Sequence, residues 1–114
     1  MPHIILEYSE NCLSESQVNE ALQSIHSSVA ASGLFEKSHI RTRAYSFKQY
    51  THGNNDRAYM HIQARIKSGR DTHEKKRLSE SIQQGLKDLG LPVTVTTVEV
   101  IDMDRDSYRK YSLS

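Results

Sequence analysis

A proline at position 2 and three arginines, Arg41, Arg43 and Arg70, are the residues whose type and placement could do chemistry in this chain. Joined to Met1, the Pro2 nitrogen is an amide without useful basicity. Once Met1 is removed, it is a secondary amine. An unperturbed α-amino group titrates at about 7.7–8.0, and a secondary amine is intrinsically more basic. Burial and neighbouring cations both disfavour the ammonium. A depression of two pKa units requires only about 2.7 kcal/mol of differential interaction, within reach of one or two partly buried guanidinium groups. Taken alone, a proline at position 2 also suits easy methionine removal, or the first residue of a strand, where no ladder N–H is needed.

Arg41 and Arg43 stand two apart in "HIRTRAYSFKQY", so on a strand they share a face, roughly 6.6 Å apart. Tyr45 and Phe47 continue that face. The pattern fits either ordinary solvent-facing cations or paired guanidinium forks suited to a carboxylate in a partly apolar slot. Arg70 lies between Gly69 and the start of a helix. It is either a loop cation in solvent or the reinforcement of an anion site at the positive end of that helix.

The elements that must position these residues follow from local patterns. Pro2 to Tyr8 is rich in strand formers. Ser14-x-x-Gln17 reads as a capping box, and Val18, Ala21, Leu22, Ile25 and Val29 follow at helical spacing, with Gly33 as the terminating glycine. "HIRTRAYSFKQY" predicts the second strand. In "THGNND", Gly53 and Asn54 supply residues that tolerate positive φ. In "RAYMHIQARIK", Ala58, Met60, Ile62, Ala64 and Ile66 face one way and Tyr59, His61, Gln63, Arg65 and Lys67 the other. Asp71-x-x-Glu74 predicts the second capping box. Leu78, Ile82, Leu86 and Leu89 form the expected buried stripe, ended by Gly90 and Pro92. "VTVTTVEVI" is the fourth strand.

The order is β-α-β followed by β-α-β, with units over 2–50 and 57–102, a polar tail over 103–114, and a single domain over 1–114. The expected class is α+β: a four-stranded mixed sheet with two helices on one face, the other face meeting solvent or another subunit.

The chain has 114 residues, 36% hydrophobic and 25% charged, and a formal net charge of +1. That balance gives no global field toward nucleic acid or membrane, so recognition of anions must be local. Cys12 is the only cysteine, which excludes an intramolecular disulfide and favours a reducing compartment. No run is long and apolar enough to cross a bilayer, and Glu7 interrupts the first apolar run, so a cytoplasmic protein is expected. The six histidines have no metal-ligand spacing, and there is no glycine-rich phosphate loop.

Together, "MPHIILEYS", "GLFEKSHIRTRAYSF" and "IKSGRDTHEKKR" resemble the tautomerase superfamily, and within it 5-carboxymethyl-2-hydroxymuconate isomerase. The resemblance runs from Pro2 to about the fourth strand. It implies a cofactor-free isomerase acting on an unsaturated 2-hydroxy or 2-oxo polycarboxylic acid from aromatic catabolism. It also implies a homotrimer whose sheets line a central barrel, Pro2 as the catalytic base, and Arg41 or Arg43 with Arg70 as carboxylate anchors. A non-catalytic small-acid-binding module, of ferredoxin-like or lapsed tautomerase type, is the alternative.

Overall fold

The computed structural model describes residues 1–53 and 57–113. The chain runs β1 (His3–Ser9), α1 (Glu15–Ala31), a short 3-10 turn (Lys37–His39), β2 (Arg41–Phe47), β3 (Tyr59–Lys67), α2 (Thr72–Leu89) and β4 (Val95–Met103). The sheet order is β2-β1-β3-β4. Within each half the strands are parallel, and the halves meet through the antiparallel β1–β3 pair. Parallel strands need a crossover connection, and α1 and α2 supply the two crossovers.

Both capping boxes form. Ser14 accepts from the Gln17 N–H while the Gln17 side chain accepts from the Ser14 N–H, and Asp71 and Glu74 do the same for α2. Gly33 and Gly90 take positive φ beyond the helix ends, where an L side chain would be strained. Helical spacing in α1 and α2 and alternation in β1 and β3 converge on one core. Ala21, Ile25, Val29, Leu78, Ile82 and Leu86 pack on Ile4, Leu6, Met60, Ile62, Ala64 and Ile66. Leu89, expected in the same stripe, is 37% exposed, because it lies in the last turn of α2, beyond the edge of the core. At the helix crossing, a Cβ on Gly85 would lie 2.7 Å from Ser24 Oγ and 3.0 Å from Ser28 Oγ, so glycine permits the close approach.

The strands are shorter or shifted relative to their sequence signals: β2 ends at Phe47, β3 starts at Tyr59, and β4 runs to Met103 instead of stopping at Ile101. At the far end of β1, the buried Ser9 hydroxyl accepts from the Tyr59 N–H (3.0 Å) and donates to the Tyr59 carbonyl (3.1 Å), extending the pairing through a side chain. Gly53 has positive φ as expected, whereas Asn54 lies outside the described residues.

The sheet face away from the helices is mixed and polar. In register across it stand Arg41, His3 and Arg65, then Arg43, Ile5, Gln63 and Glu99, then Tyr45, Glu7, His61 and Thr97. Gln63 donates to Glu7 (3.2 Å), and the two His61 ring nitrogens contact Thr97 and Glu99. In the polar segment after β4, Tyr108 is docked on the sheet. Tyr108 Oη meets His3 Nε2 at 3.0 Å, and Lys67 Nζ lies 5.2 Å from the centre of the Tyr108 ring.

Candidate active site

Pro2 is buried at the tip of β1. Having no amide hydrogen, it leaves no ladder donor unpaired, while its carbonyl accepts from the Arg41 N–H at 3.1 Å and so starts the β1–β2 pairing. Beside it opens a pocket of about 300 Å³. Met1 and Pro2 form one side. Leu34, Phe35, Glu36 and His39, from the α1–β2 connection, form the second. Lys67 and Arg70 from the β3–α2 connection, with Arg105 after β4, complete it.

Arg70 is therefore brought to Pro2. Its Nη2 donates to the Leu34 carbonyl at 2.6 Å, and its guanidinium carbon lies 5.1 Å from the centre of the Phe35 ring. Those contacts fix the planar group while leaving other donors of the fork available. The N-terminus of α2, beside Arg70, is closed by its own capping box. Its orphan donors are partly satisfied by the Asp71–Glu74 capping box, and two carboxylates already occupy that end. The cation that reaches the pocket here is the Arg70 side chain.

Arg41 and Arg43 share a face, as their spacing predicts, but neither lines this pocket. Arg41 Nη1 donates to the Ser38 carbonyl at 2.7 Å and to the Ile40 carbonyl at 3.2 Å. Arg43 Nη1 donates to His3 Nδ1 at 3.2 Å. Because arginine only donates, His3 Nδ1 is the unprotonated nitrogen and Nε2–H donates to Tyr108. Burial, then the Arg43 guanidinium and the amino terminus, holds this imidazole below its ordinary 6.5.

The pocket carries an excess of positive charge. Lys67, Arg70 and Arg105 face one carboxylate, Glu36, whose Oε2 lies 3.5 Å from His39 Nε2. In the chain with Met1 attached, burial first, and then Lys67, Lys110 and Arg41, lower the pKa of the terminal amine from its ordinary 8.0. An amine in this corner thus loses its proton more readily than one in water. Cys12 lies elsewhere, and burial pushes its thiol up, away from nucleophilic use. Among the described residues, no three His, Cys, Asp or Glu side chains group as a metal site, and no helix is long and apolar enough to cross a membrane.

Leu34, Phe35, Glu36, His39, Lys67 and Arg105 line the pocket without a sequence signal that marks them. The first four sit in the irregular "GLFEKSH" connection, which has no periodicity to read. Lys67 is visible only as one of the polar residues of β3. Arg105 is hidden in a segment whose composition suggests only solvation.

Comparison with known proteins agrees with this architecture. The family model for 5-carboxymethyl-2-hydroxymuconate isomerase matches residues 2–103. The Escherichia coli 5-carboxymethyl-2-hydroxymuconate Delta-isomerase is 28% identical over 89 residues, covering 76% of this chain and 71% of that protein. The crystal structure of a 5-carboxymethyl-2-hydroxymuconate isomerase from Deinococcus radiodurans R1 superposes with a TM-score of 0.82 at 25% identity, over 96% of this chain and 88% of that one. A fused 4-OT described as a symmetric trimer shares the fold, with a TM-score of 0.78 at 14% identity over 93% and 89% of the two chains.

Proposed function

This chain belongs to the 5-carboxymethyl-2-hydroxymuconate isomerase family, and from that membership we propose that it moves a proton within an unsaturated 2-hydroxy or 2-oxo polycarboxylic acid, with the Pro2 amine as the base. The observation that carries this reading is the placement of a buried Pro2 and Arg70 in one pocket with excess positive charge. The substrate class follows from the family, and the chemical setting proposed is the breakdown of aromatic compounds.

With Met1 removed, the neutral Pro2 nitrogen takes the proton of the enol hydroxyl. The O–H electron pair moves into the conjugated system, giving a dienolate and a prolinium ion. The prolinium then delivers the same proton to a carbon further along, a C–H bond forms, and the amine returns neutral. This is a 1,3- or 1,5-shift needing no external reductant or oxidant. Arg70 holds a carboxylate and stabilises the developing negative charge, which its fixed guanidinium does without reorganising.

Arg41 and Arg43 take their place in an oligomer. They stand on the sheet face that the helices leave uncovered, so in a homotrimer packed through such faces they would confront a neighbouring subunit. The fused 4-OT trimer has the same fold, which supports that arrangement.

The alternative is a binding-only role for a chain that keeps Met1, a residue on the wall of the same pocket. While it remains attached, Pro2 has no basic nitrogen, and the chain can hold a small acid without converting it. The two readings separate in the ketonisation of 2-hydroxymuconate by chain beginning at Pro2. The isomerase reading predicts turnover with an acidic limb below the pKa of free proline. Pro2→Ala retaining full activity without that limb would overturn it.

A further inference from the structure

Arg105 lies two residues beyond β4, in a closed turn: the Asp104 carbonyl accepts from the Ser107 N–H (3.3 Å) and the Tyr108 N–H (3.1 Å). The turn is fixed at both ends. It continues directly from β4, and Tyr108 is docked on His3 of β1 and on Lys67 of β3. This frame sets Arg105 over the β3–α2 connection, where its Nε donates to the Ser68 carbonyl at 3.0 Å.

The seat beneath the guanidinium is Gly69. Its φ of +123° is one that few side chains tolerate, and a Cβ there would lie 3.5 Å from Arg105 Nη2. Ser68 uses only Nε, so the two terminal nitrogens are left for a ligand. Among the described residues, no carboxylate lies within ion-pair distance of Arg105 or Arg70. Arg70, on the other side of Gly69, is tied to Leu34, and both arginines line the pocket that holds Pro2.

We propose that Arg105 is a second carboxylate anchor of this pocket, so that Arg70 and Arg105 together select dicarboxylates over monocarboxylates of the same length. Tyr108 is its positioning residue, acting through the turn. The inference rests on reading the pocket as a carboxylate site, but it does not depend on Pro2 being the base. A volume of about 300 Å³ accommodates a six-carbon diacid.

The test uses two unreactive dienes, trans,trans-hexa-2,4-dienedioate and trans,trans-hexa-2,4-dienoate, with dissociation constants from calorimetry on the full chain. The parent protein binds the diacid about 10-fold or more tighter than the monoacid, the scale of a charge-assisted hydrogen-bond pair. Arg105→Ala brings the ratio to within about 3-fold by weakening the diacid alone, and Arg105→Lys restores part of it. Tyr108→Ala shifts the ratio in the same direction. Lys110→Ala removes equal charge near the amino terminus but no pocket-lining donor, and leaves the ratio within about 2-fold of the parent's.

A parent without preference, an Arg105→Ala ratio like the parent's, equal weakening of both ligands, or an equal effect of Lys110→Ala each overturns the proposal. Neither diene has an enol proton, so a failure of the Pro2 mechanism shows in ketonisation assays and leaves this result standing.

Discussion

Replacing Arg70 tests the proposal that this residue anchors a carboxylate of the substrate. One edge of the guanidinium is committed to the Leu34 carbonyl at 2.6 Å, and the group lies 5.1 Å over Phe35, which leaves the remaining donors for a carboxylate. Two charge-assisted hydrogen bonds at about 1.5 kcal/mol each amount to about 3 kcal/mol, or a loss of about 100-fold in kcat/KM for Arg70→Ala. Arg70→Lys keeps the charge but cannot satisfy Leu34 and a carboxylate with one planar fork, so it recovers about 10-fold at most. Phe35→Leu removes only the ring beneath the cation, worth about 0.5–1 kcal/mol, and costs about 2- to 5-fold. The assay is the absorbance decay of 2-hydroxymuconate dienol, with circular dichroism verifying the fold. If the arginine also stabilises the dienolate, kcat falls along with the rise in KM. A kcat/KM for a folded Arg70→Ala within about threefold of the parent's would rule Arg70 out as an anchor, because the donors left free by Leu34 would then have no ligand.

The helix crossing gives a second expectation. An alanine at Gly85 gains about 1 kcal/mol of helix propensity but meets Ser24 Oγ at 2.7 Å and Ser28 Oγ at 3.0 Å. Gly85→Ala should therefore lower Tm by about 3–5 °C, a net cost of about 1 kcal/mol, and Ser24→Ala in the same chain should recover it; unaltered melting of the single variant would contradict the close approach. His3 gives a third. Its imidazole titrates below 6.5 in the folded chain, so the unfolded chain binds more protons between that lowered value and 6.5. Stability should fall as pH drops through that window, and His3→Gln should flatten this part of the Tm-against-pH curve. Identical slopes in parent and variant would exclude the partly buried His3 imidazole as the cause.

Local patterns made much of the fold legible. The Ser14–Gln17 and Asp71–Glu74 boxes span four residues each, and the alternation of β3 is continuous, so neither needs tertiary information. The order β2-β1-β3-β4 was not readable, because pairing joins segments that share no local signal. Leu89 fits the apolar period of α2, but only the extent of the packed core decides that its turn projects past it. At the site, the shared face of Arg41 and Arg43 follows from a two-residue period. Their separation from the Pro2 pocket follows from where β2 lies in the sheet. Arg70 was visible from its position before α2, yet its partner Leu34 is 36 residues away. Arg105 and Tyr108 are anchored 37 and 105 residues away, on Ser68 and His3, so their sequence neighbourhood shows only polarity.

The proposed catalysis depends on one covalent bond, that between Met1 and Pro2. The direct measurement is ketonisation of 2-hydroxymuconate by two preparations verified by intact mass, one beginning at Pro2 and one retaining a residue before it. With Pro2 as the base, turnover is rapid in the first and, because an amide nitrogen cannot accept the proton, falls about 100-fold or more in the second. Equal activity in the two preparations would exclude Pro2 as the base.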